Sequence, residues 1–268
     1  MRRTRTWHSF RPESHKLKKV VNIWMCIYLG AYQRRVPRML AMEHLPTYRS
    51  ILVFDVEGFS EPYRDDPART AVRVGLYRML RESFHAAGMA WPPDKHEDRG
   101  DGVIALVSPL VPKVFLIDPL LGCLHAALAE YNRNVRLAER IRIRCAVHAG
   151  EVSEDEYGLS GFDLIIAFRM IEAVELRNSL LDSPANLAVI VSDGIYEAVV
   201  RHGYRDIDPT TYHPVRIQVK KNRINAWIHL PGIATPPVVA VSTTHEARRR
   251  TVTGRWRRAL DQRRSSLW

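Results

Sequence analysis

The sequence has few cysteines and no apolar run long enough to cross a membrane. Cys26, Cys123 and Cys145 form no CxxC pair, so neither a disulfide framework nor a cysteine zinc site is indicated. The apolar run at residues 20–32 contains Asn22 and is followed by glutamine and arginines rather than a small-residue cleavage site. A spanning helix needs about 20 apolar residues, and a signal peptide needs that cleavage site. We therefore expect a cytoplasmic protein without a membrane partner.

The positive charge of the chain is concentrated at its two ends. The net charge is +11; residues 1–49 contain 11 basic and 2 acidic side chains, and residues 233–268 contain 8 and 2. The middle is mildly acidic, which makes nucleic acid an unlikely partner for the globular part. We predict a basic N-terminal extension over 1–45, a folded domain over 46–232 and a basic tail over 233–268. An alternative reading of the N-terminal segment is that native translation starts at Met39 or Met42, just before the folded part.

The middle of the chain alternates between strand-like and helix-like segments. Residues 50–56 (SILVFDV) form an apolar run rich in β-formers, whereas residues 67–87 place apolar side chains at helical spacing and end at Gly88. Continued along the chain, the pattern predicts the order β-α-β-β-α-β-α-β-α-β-β. We expect an α+β domain with a mostly antiparallel sheet and helices packed on one face.

Two aspartates lie beside turn glycines at predicted strand ends. Asp55 ends the first strand shortly before Gly58, and Asp101 lies between Gly100 and Gly102, ahead of an apolar run. If the two strands are neighbours, both carboxylates can reach one or two hard cations, and the glycines let a phosphate approach the backbone. The alternative is that each aspartate only closes a turn.

Five segments, in order, resemble the catalytic domain of the class III nucleotide cyclases. They are residues 54–60 (FDVEGFS), 100–105 (GDGVIA), 141–152 (IRIRCAVHAGEV), 157–170 (YGLSGFDLIIAFRM) and 219–220 (VK). The resemblance extends over most of residues 50–230. It implies a ferredoxin-like class III cyclase fold and a lyase that converts an NTP into a 3′,5′-cyclic nucleotide and pyrophosphate.

The resemblance also implies roles for residues near the first strand. Asp55 and Asp101, with the carbonyl of Val56, would hold two Mg²⁺ or Mn²⁺ ions. The turn that contains Phe59 and Ser60 would cradle the phosphates through backbone N–H groups.

Two basic residues later in the chain complete the implied site. Arg169 would stabilise charge that develops at the α-phosphate, and Lys220 would neutralise the terminal phosphates. Because the family takes the metal ligands and this arginine from different subunits, a homodimer with active sites at its interface is implied.

The chain departs from the family pattern four residues before Arg169. The family has a ribose-orienting asparagine at that position, and this chain has Ile165. Residues four apart share a helix face, so an apolar side chain stands where a polar one is expected. The replacement could mean slow turnover, a substitute such as Asp163 or Ser160 in binding the substrate, or an inactive relative.

Base choice depends on Glu97 and Gly158, which occupy the positions of the family's purine-reading pair. An ionised glutamate accepts hydrogen bonds but donates none, which disfavours adenine and leaves guanine or a pyrimidine. The alternative is that Glu97 is a solvated turn residue. A compact cyclase without the usual purine pair is similar to the pyrimidine cyclases of the bacterial anti-phage system Pycsar, which produce cUMP or cCMP for a responsive effector.

Three readings remain beside a pyrimidine cyclase: a guanylate cyclase, a catalytically silent cyclase-fold module that binds nucleotide and dimerises, and a nucleic-acid-binding protein that uses its basic ends. The alternation of Arg140, Arg142 and Arg144 with isoleucines indicates a strand with a solvated face. His148 is expected to pack rather than to react.

Overall fold

The computed structural model describes residues 45–91, 95–219 and 222–233, without the side chains of residues 219 and 222. Lys220 and most of both basic extensions lie outside the described residues. The chain divides into two compact units. The larger contains Thr47–Val152 and the chain from Ser160 onward, and the described part of the smaller consists of Leu45, Pro46 and Ser153–Leu159.

The strand and helix bounds follow the predicted order closely. The strands are β1 (Thr47–Val56), β2 (Lys95–Asp98), β3 (Gly102–Val107), β4 (Ile143–Asp155), β5 (Gly158–Ser160), β6 (Leu187–Ser192), β7 (His213–Val219) and β8 (Asn222–His229). The helices are α1 (Asp66–Ala86), α2 (Val114–Ile117), α3 (Leu120–Arg133), α4 (Phe162–Ile171), α5 (Val174–Leu181) and α6 (Asp193–Ala198). Short 3₁₀ turns lie at Leu137–Glu139, Val200–His202 and Pro209–Thr211.

The strands form one sheet in the order β2-β3-β1-β4-β6-β8-β7, and the short β5 pairs with β4. Strand β1 runs antiparallel to both of its neighbours, whereas β4 and β6 run parallel. The remaining neighbours along the main path are antiparallel. The α+β class and the mostly antiparallel sheet are therefore confirmed.

One face of the sheet packs against α1 and α3. Alternate residues of β1, such as Leu52 and Phe54, point into this core and meet Leu76 of α1 and Leu124 of α3. Full burial of each such side chain stabilises the fold by roughly 1.5–3 kcal/mol. The stretch Val114–Arg133 is long and apolar enough to span a membrane, but its leucines are buried in this core.

The opposite face of the sheet is covered by α4 and α5. The intervening residues of β1, Ile51 and Val53, are buried but belong to a separate layer from the α1–α3 core. Helix α4 contacts β1 and β6, and α5 contacts β6. The expectation that the helices pack on one face is thus wrong in this detail, because both faces of the central strands are apolar and each needs a cover.

Candidate active site

The candidate site lies where β1 ends, between the ends of β3 and β4. Asp55 is opposite Gly102 on β3 and Arg144 on β4. A Cβ atom at Gly102 would lie 2.3 Å from the carbonyl oxygen of Phe54, so only glycine allows this close approach. The N–H of Val56 donates to the carbonyl of Asp101 at 2.9 Å. The turn that carries Asp101 is therefore held against the end of β1.

Asp55 is paired with an arginine that is mostly shielded from solvent. The Nε and Nη2 atoms of Arg144 donate to Oδ2 of Asp55 at 2.9 and 2.5 Å. The two side chains are 13% exposed for Arg144 and 23% exposed for Asp55. The Nη1 atom of Arg144 is buried and has no hydrogen-bond partner within the described part of the chain. One edge of the Arg144 guanidinium, Nε and Nη2, is thus bonded to Asp55, while the Nη1 donor has yet to find an acceptor among the described residues.

The pKa of Asp55 is shifted by burial and by the charges of neighbouring residues. Burial raises the pKa of this carboxyl, the ion pair with Arg144 opposes the rise, and the nearby charge of Asp101 adds to it. The net direction is upward. The two carboxylates are therefore close enough to repel each other, and a divalent cation between them would relieve that repulsion.

The donor set fits Mg²⁺ or Mn²⁺ in part. Asp55, Asp101 and the carbonyl of Val56 offer hard oxygen atoms, which these ions prefer. Within the described ranges, no group of three or more His, Cys, Asp or Glu side chains is placed to hold a metal. A metal here would have two protein carboxylates at most, and Mg²⁺ is commonly held in this way, with substrate phosphates and water as its other ligands.

The hairpin that carries Asp101 is tied to α1 through Asp98. Both oxygens of Asp98 accept from the guanidinium of Arg73, at 2.8 and 2.5 Å, and Oδ2 also accepts from the hydroxyl of Tyr77 at 2.8 Å. The N–H of Gly100 donates to the same carboxylate. These bonds hold the pKa of Asp98 far below its usual range. Burial, with the bond to Asp98, raises the pKa of Tyr77 to about 12.

Glu97 is placed on the face of the sheet that carries Asp55. It pairs with Ile104 of β3, and Ile104 in turn pairs with Val53 of β1, two residues from Asp55. Glu97 is half-buried. Its proposed partner Gly158 begins β5 with a φ of 125° and belongs to the smaller unit.

The start of α4 is fastened to β4 through Asp163. One carboxylate oxygen accepts from the N–H of Glu151 at 2.7 Å, and the other lies 3.2 Å from Nε2 of His148. A Cβ atom at Gly150 would lie 2.1 Å from Asp163, so glycine is needed beneath the helix. His148 is packed as expected, and burial lowers its pKa. A substrate-binding role for Asp163 stays a prediction, since both oxygens already face β4.

Arg169 lies in the last turn of α4 and has an acidic partner of its own. It is half-exposed and pairs with Glu172 at 3.1 Å. Ile165, one turn earlier, is 53% exposed. The exposed helix face thus presents the arginine and the isoleucine together.

The turn after β1 contains the two predicted phosphate-cradling residues. Gly58 has a φ of 64°, Phe59 packs partly on the core, and Ser60 is exposed. Buried Arg64 braces this turn, since its guanidinium donates to the carbonyls of Glu57 and two residues of the loop before β4.

Arg144 is the site residue that the sequence pattern missed. The prediction of a solvated arginine face is wrong for two of the three residues. Arg142 donates to the carbonyls of Leu180, Ser183 and Ala185 at the end of α5, and Arg144 is paired with Asp55. The sequence contained one indication of this pair. A strand that runs beside β1, as β4 does, must place one of its residues opposite Asp55.

The comparisons with known proteins support the fold. The structure is similar to a bacterial light-regulated adenylyl cyclase, with a TM-score of 0.50 and 14% identity over 80% of this chain and 64% of that one. The structure is also similar to the guanylyl cyclase Cya2, with 15% identity over 73% of this chain and 98% of that one and a TM-score of 0.49. A third similar structure is the catalytic core of a rhodopsin-guanylyl cyclase with converted specificity in complex with ATPαS, with 17% identity over 69% of this chain and 97% of that one and a TM-score of 0.48. No protein-family profile and no curated protein matches the chain. The chain has the class III cyclase fold.

Proposed function

We propose that this protein is a metal-dependent nucleotidyl cyclase that converts an NTP into a 3′,5′-cyclic nucleotide and pyrophosphate. The observation that carries the proposal is the carboxylate pair Asp55–Asp101, defined by two adjacent strand ends and held together by the Val56–Asp101 backbone bond. Two carboxylates that repel each other at one edge of the sheet are a common arrangement for divalent-metal phosphoryl chemistry. The cyclase fold is consistent with that use.

Different residues of the chain would bind the metal ions and the phosphates. The carboxylate pair and the carbonyl of Val56 would hold Mg²⁺ or Mn²⁺, and two bound ions would promote attack by the ribose 3′-hydroxyl and offset charge on the departing pyrophosphate. The backbone at Phe59 and Ser60 would position phosphate oxygens. The Nη1 atom of Arg144, which has no partner within the described part of the chain, is suited to donate to a phosphate oxygen.

The remaining cationic groups would come from elsewhere. Arg169, half-exposed on α4, would stabilise charge at the α-phosphate of a site on a partner subunit, as the resemblance to class III cyclases implies. Lys220, which lies outside the described residues, would neutralise the terminal phosphates. We therefore propose a head-to-tail homodimer with two sites at the interface.

Glu97 supports the choice of base. As a carboxylate acceptor on the face of Asp55, it suits the exocyclic amine of cytosine, the N3–H of uracil or the N–H groups of guanine. With adenine it could accept only from the N6 amine, and it offers no donor to the neighbouring ring nitrogen N1. We propose a pyrimidine NTP, UTP or CTP, as the substrate, with guanylate cyclisation as the alternative. In that reading the product is a cytoplasmic cUMP or cCMP signal to a responsive effector in anti-phage defence, as the resemblance to Pycsar cyclases implies.

The direct test is incubation with each of the four NTPs and Mn²⁺, with products identified by mass spectrometry. One cyclic nucleotide, with a pyrimidine base, is expected. Asp55→Asn and Asp101→Asn should each lower the rate by about 100-fold or more, since each removes a charged metal ligand. Asp182→Asn, an exposed aspartate at the end of α5, is the matched control and should leave the rate unchanged. Turnover that survives both site variants would overturn the metal assignment.

Exposed Ile165, in place of a polar residue beside Arg169, favours a second candidate function: a silent module that binds NTP without turning it over. The same incubation separates the two, because the silent module would retain NTP and metal binding by calorimetry and form no cyclic product.

A further inference from the structure

The ion pair between Arg144 and Asp55 occupies an atom that a metal ion would need. Both N–H bonds of Arg144 fall on a single oxygen, Oδ2 of Asp55. The pair is largely buried, with 13% and 23% of the side chains exposed. A guanidinium in this position places a positive charge where a divalent cation is expected to bind. In the absence of substrate, metal and arginine therefore compete for the same carboxylate.

The arginine is also left with an open donor. Its Nη1 atom is buried and has no partner within the described part of the chain. A buried donor without an acceptor is costly, because it has lost its water and gained nothing in return. An anionic oxygen close to the site would satisfy it, and the phosphates of an NTP supply such oxygens.

We infer that Arg144 is an internal cation that competes with divalent metal for Asp55 until the triphosphate of the substrate draws it away, so that metal binds firmly only together with the nucleotide. The inference rests on the proposed NTP site and adds a coupling between its two ligands. Coupling of this kind is reciprocal: if NTP strengthens metal binding, metal strengthens NTP binding by the same factor.

Geometry supports this coupling over a purely structural role. Arg144 and Asp55 are direct partners across adjacent strands, and the hydrogen bonds of Arg144 go to a side chain rather than to backbone. By contrast Arg142, two residues earlier, donates to three backbone carbonyls. Arg144 is bonded to one side chain and keeps a donor in reserve.

The first experiment measures Mn²⁺ binding to the nucleotide-free protein at pH 8 by the electron paramagnetic resonance signal of free Mn²⁺. Arg144→Met should bind Mn²⁺ about tenfold more tightly than the wild type, since a unit charge a few ångströms from a divalent ion has about this effect even under water-like screening. Arg144→Lys keeps the charge and should stay near the wild type. Arg177→Gln removes an exposed charge that acts on Asp55 without a hydrogen bond to it, and should change binding by less than about threefold.

The second experiment uses inorganic tripolyphosphate, which makes the result independent of base preference and of turnover. The preformed Mn²⁺–tripolyphosphate complex should bind the wild type much more tightly than Mn²⁺ alone, and Arg144→Met should lose most of that difference. Equal or weaker Mn²⁺ binding by a folded Arg144→Met variant, or an undiminished preference for the complex, would overturn the inference. Loss of cyclase activity alone would bear on the proposed function and not on this coupling.

A third measurement uses only the wild-type protein, so it remains informative if the Arg144→Met variant does not fold. In protein labelled with ¹⁵N-arginine, the Nε–H signal of Arg144 should shift on addition of Mg²⁺–tripolyphosphate and stay in place with Mg²⁺ alone at the same concentration. A shift with Mg²⁺ alone that tripolyphosphate does not increase would contradict the inference.

Discussion

At the residue scale, the site depends on one position where no side chain fits. Gly102 lies opposite Asp55, and its Cα faces the backbone carbonyl of Phe54 so closely that an added Cβ would approach the oxygen to 2.3 Å. Because the obstacle is backbone, it cannot rotate away as a flexible side chain can. The spacing between β1 and β3, and with it the distance between Asp55 and Asp101, therefore depends on this glycine.

We predict that Gly102→Ala lowers the free energy of unfolding by about 1–3 kcal/mol, the usual range for overpacking, and reduces cyclase activity more than stability alone explains. Gly122→Ala is the matched control. Gly122 is exposed within α3 and has nothing within 4 Å of an added Cβ, so alanine should stabilise the helix by about 0.5–1 kcal/mol. Urea unfolding and steady-state rates measure both. A Gly102→Ala protein with wild-type stability and rate would show that the strands tolerate a wider spacing.

Ile165 is a second single residue on which the proposed turnover depends. It is 53% exposed on the face of α4 that also presents Arg169, where an amide could orient a ribose. We expect Ile165→Asn to raise kcat several-fold if only that orientation is lacking. Ile165→Val, which keeps an apolar side chain, should leave kcat unchanged. No increase for the asparagine variant would point to a substitute group elsewhere.

At the element scale, the β2–β3 hairpin is positioned by α1 rather than by its own turn. Arg73 and Tyr77 on α1 both bond to Asp98, and Arg73 also donates to the carbonyl of Gly100. The helix thereby holds the turn from which Asp101 reaches Asp55. Asp98 is a support for the site and not part of its chemistry.

The depressed pKa of Asp98 predicts a pH-dependent contribution to stability. A carboxyl whose folded-state pKa lies below its ordinary value of 3.8 stabilises the fold above that value, and the contribution is lost as the pH falls below about 4. Asp98→Asn should therefore cost about 1 kcal/mol or less at pH 7, because the ion pair is partly exposed, and the difference from the wild type should shrink at pH 3. Thermal unfolding from pH 7 to 3 measures it. Asp66→Asn, which breaks an exposed pair within one turn of α1, should have almost no effect, and a pH-independent difference for Asp98→Asn would refute the assignment.

At the scale of the whole molecule, Asp55 and Arg169 have different partners within the chain. Asp55 is under the influence of Arg144, Asp101 and Arg177, while Arg169 pairs with Glu172 on an exposed helix face. The proposed reaction needs both groups at one phosphate. The resemblance to class III cyclases implies that a second subunit supplies the arginine.

Mixing variants tests this arrangement. Asp55→Asn and Arg169→Ala should each be nearly inactive alone, yet an equimolar mixture, unfolded and refolded together, should recover about a quarter of wild-type activity. Half of the dimers are then mixed, and each mixed dimer has one intact site. A mixture of Asp55→Asn with Asp101→Asn is the control and should recover nothing, because both changes affect ligands from the same chain. Equal recovery in the two mixtures, or none in the first, would exclude a site shared between subunits.

Much of this molecule follows from local sequence. The strand and helix order, the hairpin at Gly100–Gly102 and the two aspartates beside glycines were all predictable, because apolar periodicity and turn chemistry act over a few residues. The resemblance to class III cyclases added candidate roles for Arg169 and Glu97 in the same way, through motifs read along the chain.

What only the tertiary structure decided concerns contacts between distant segments. Arg144 is 89 residues from Asp55, and its alternation with isoleucine predicted a solvated face, but the neighbouring strand places it against a partly buried carboxylate. Asp163 is a second example, because it contacts His148 and Glu151 where Gly150 leaves room for it. The placement of α4 and α5 over the second face of the sheet was likewise decided by the tertiary structure. Periodicity specifies which side of a strand a residue occupies, whereas the order of strands in the sheet determines what it meets there.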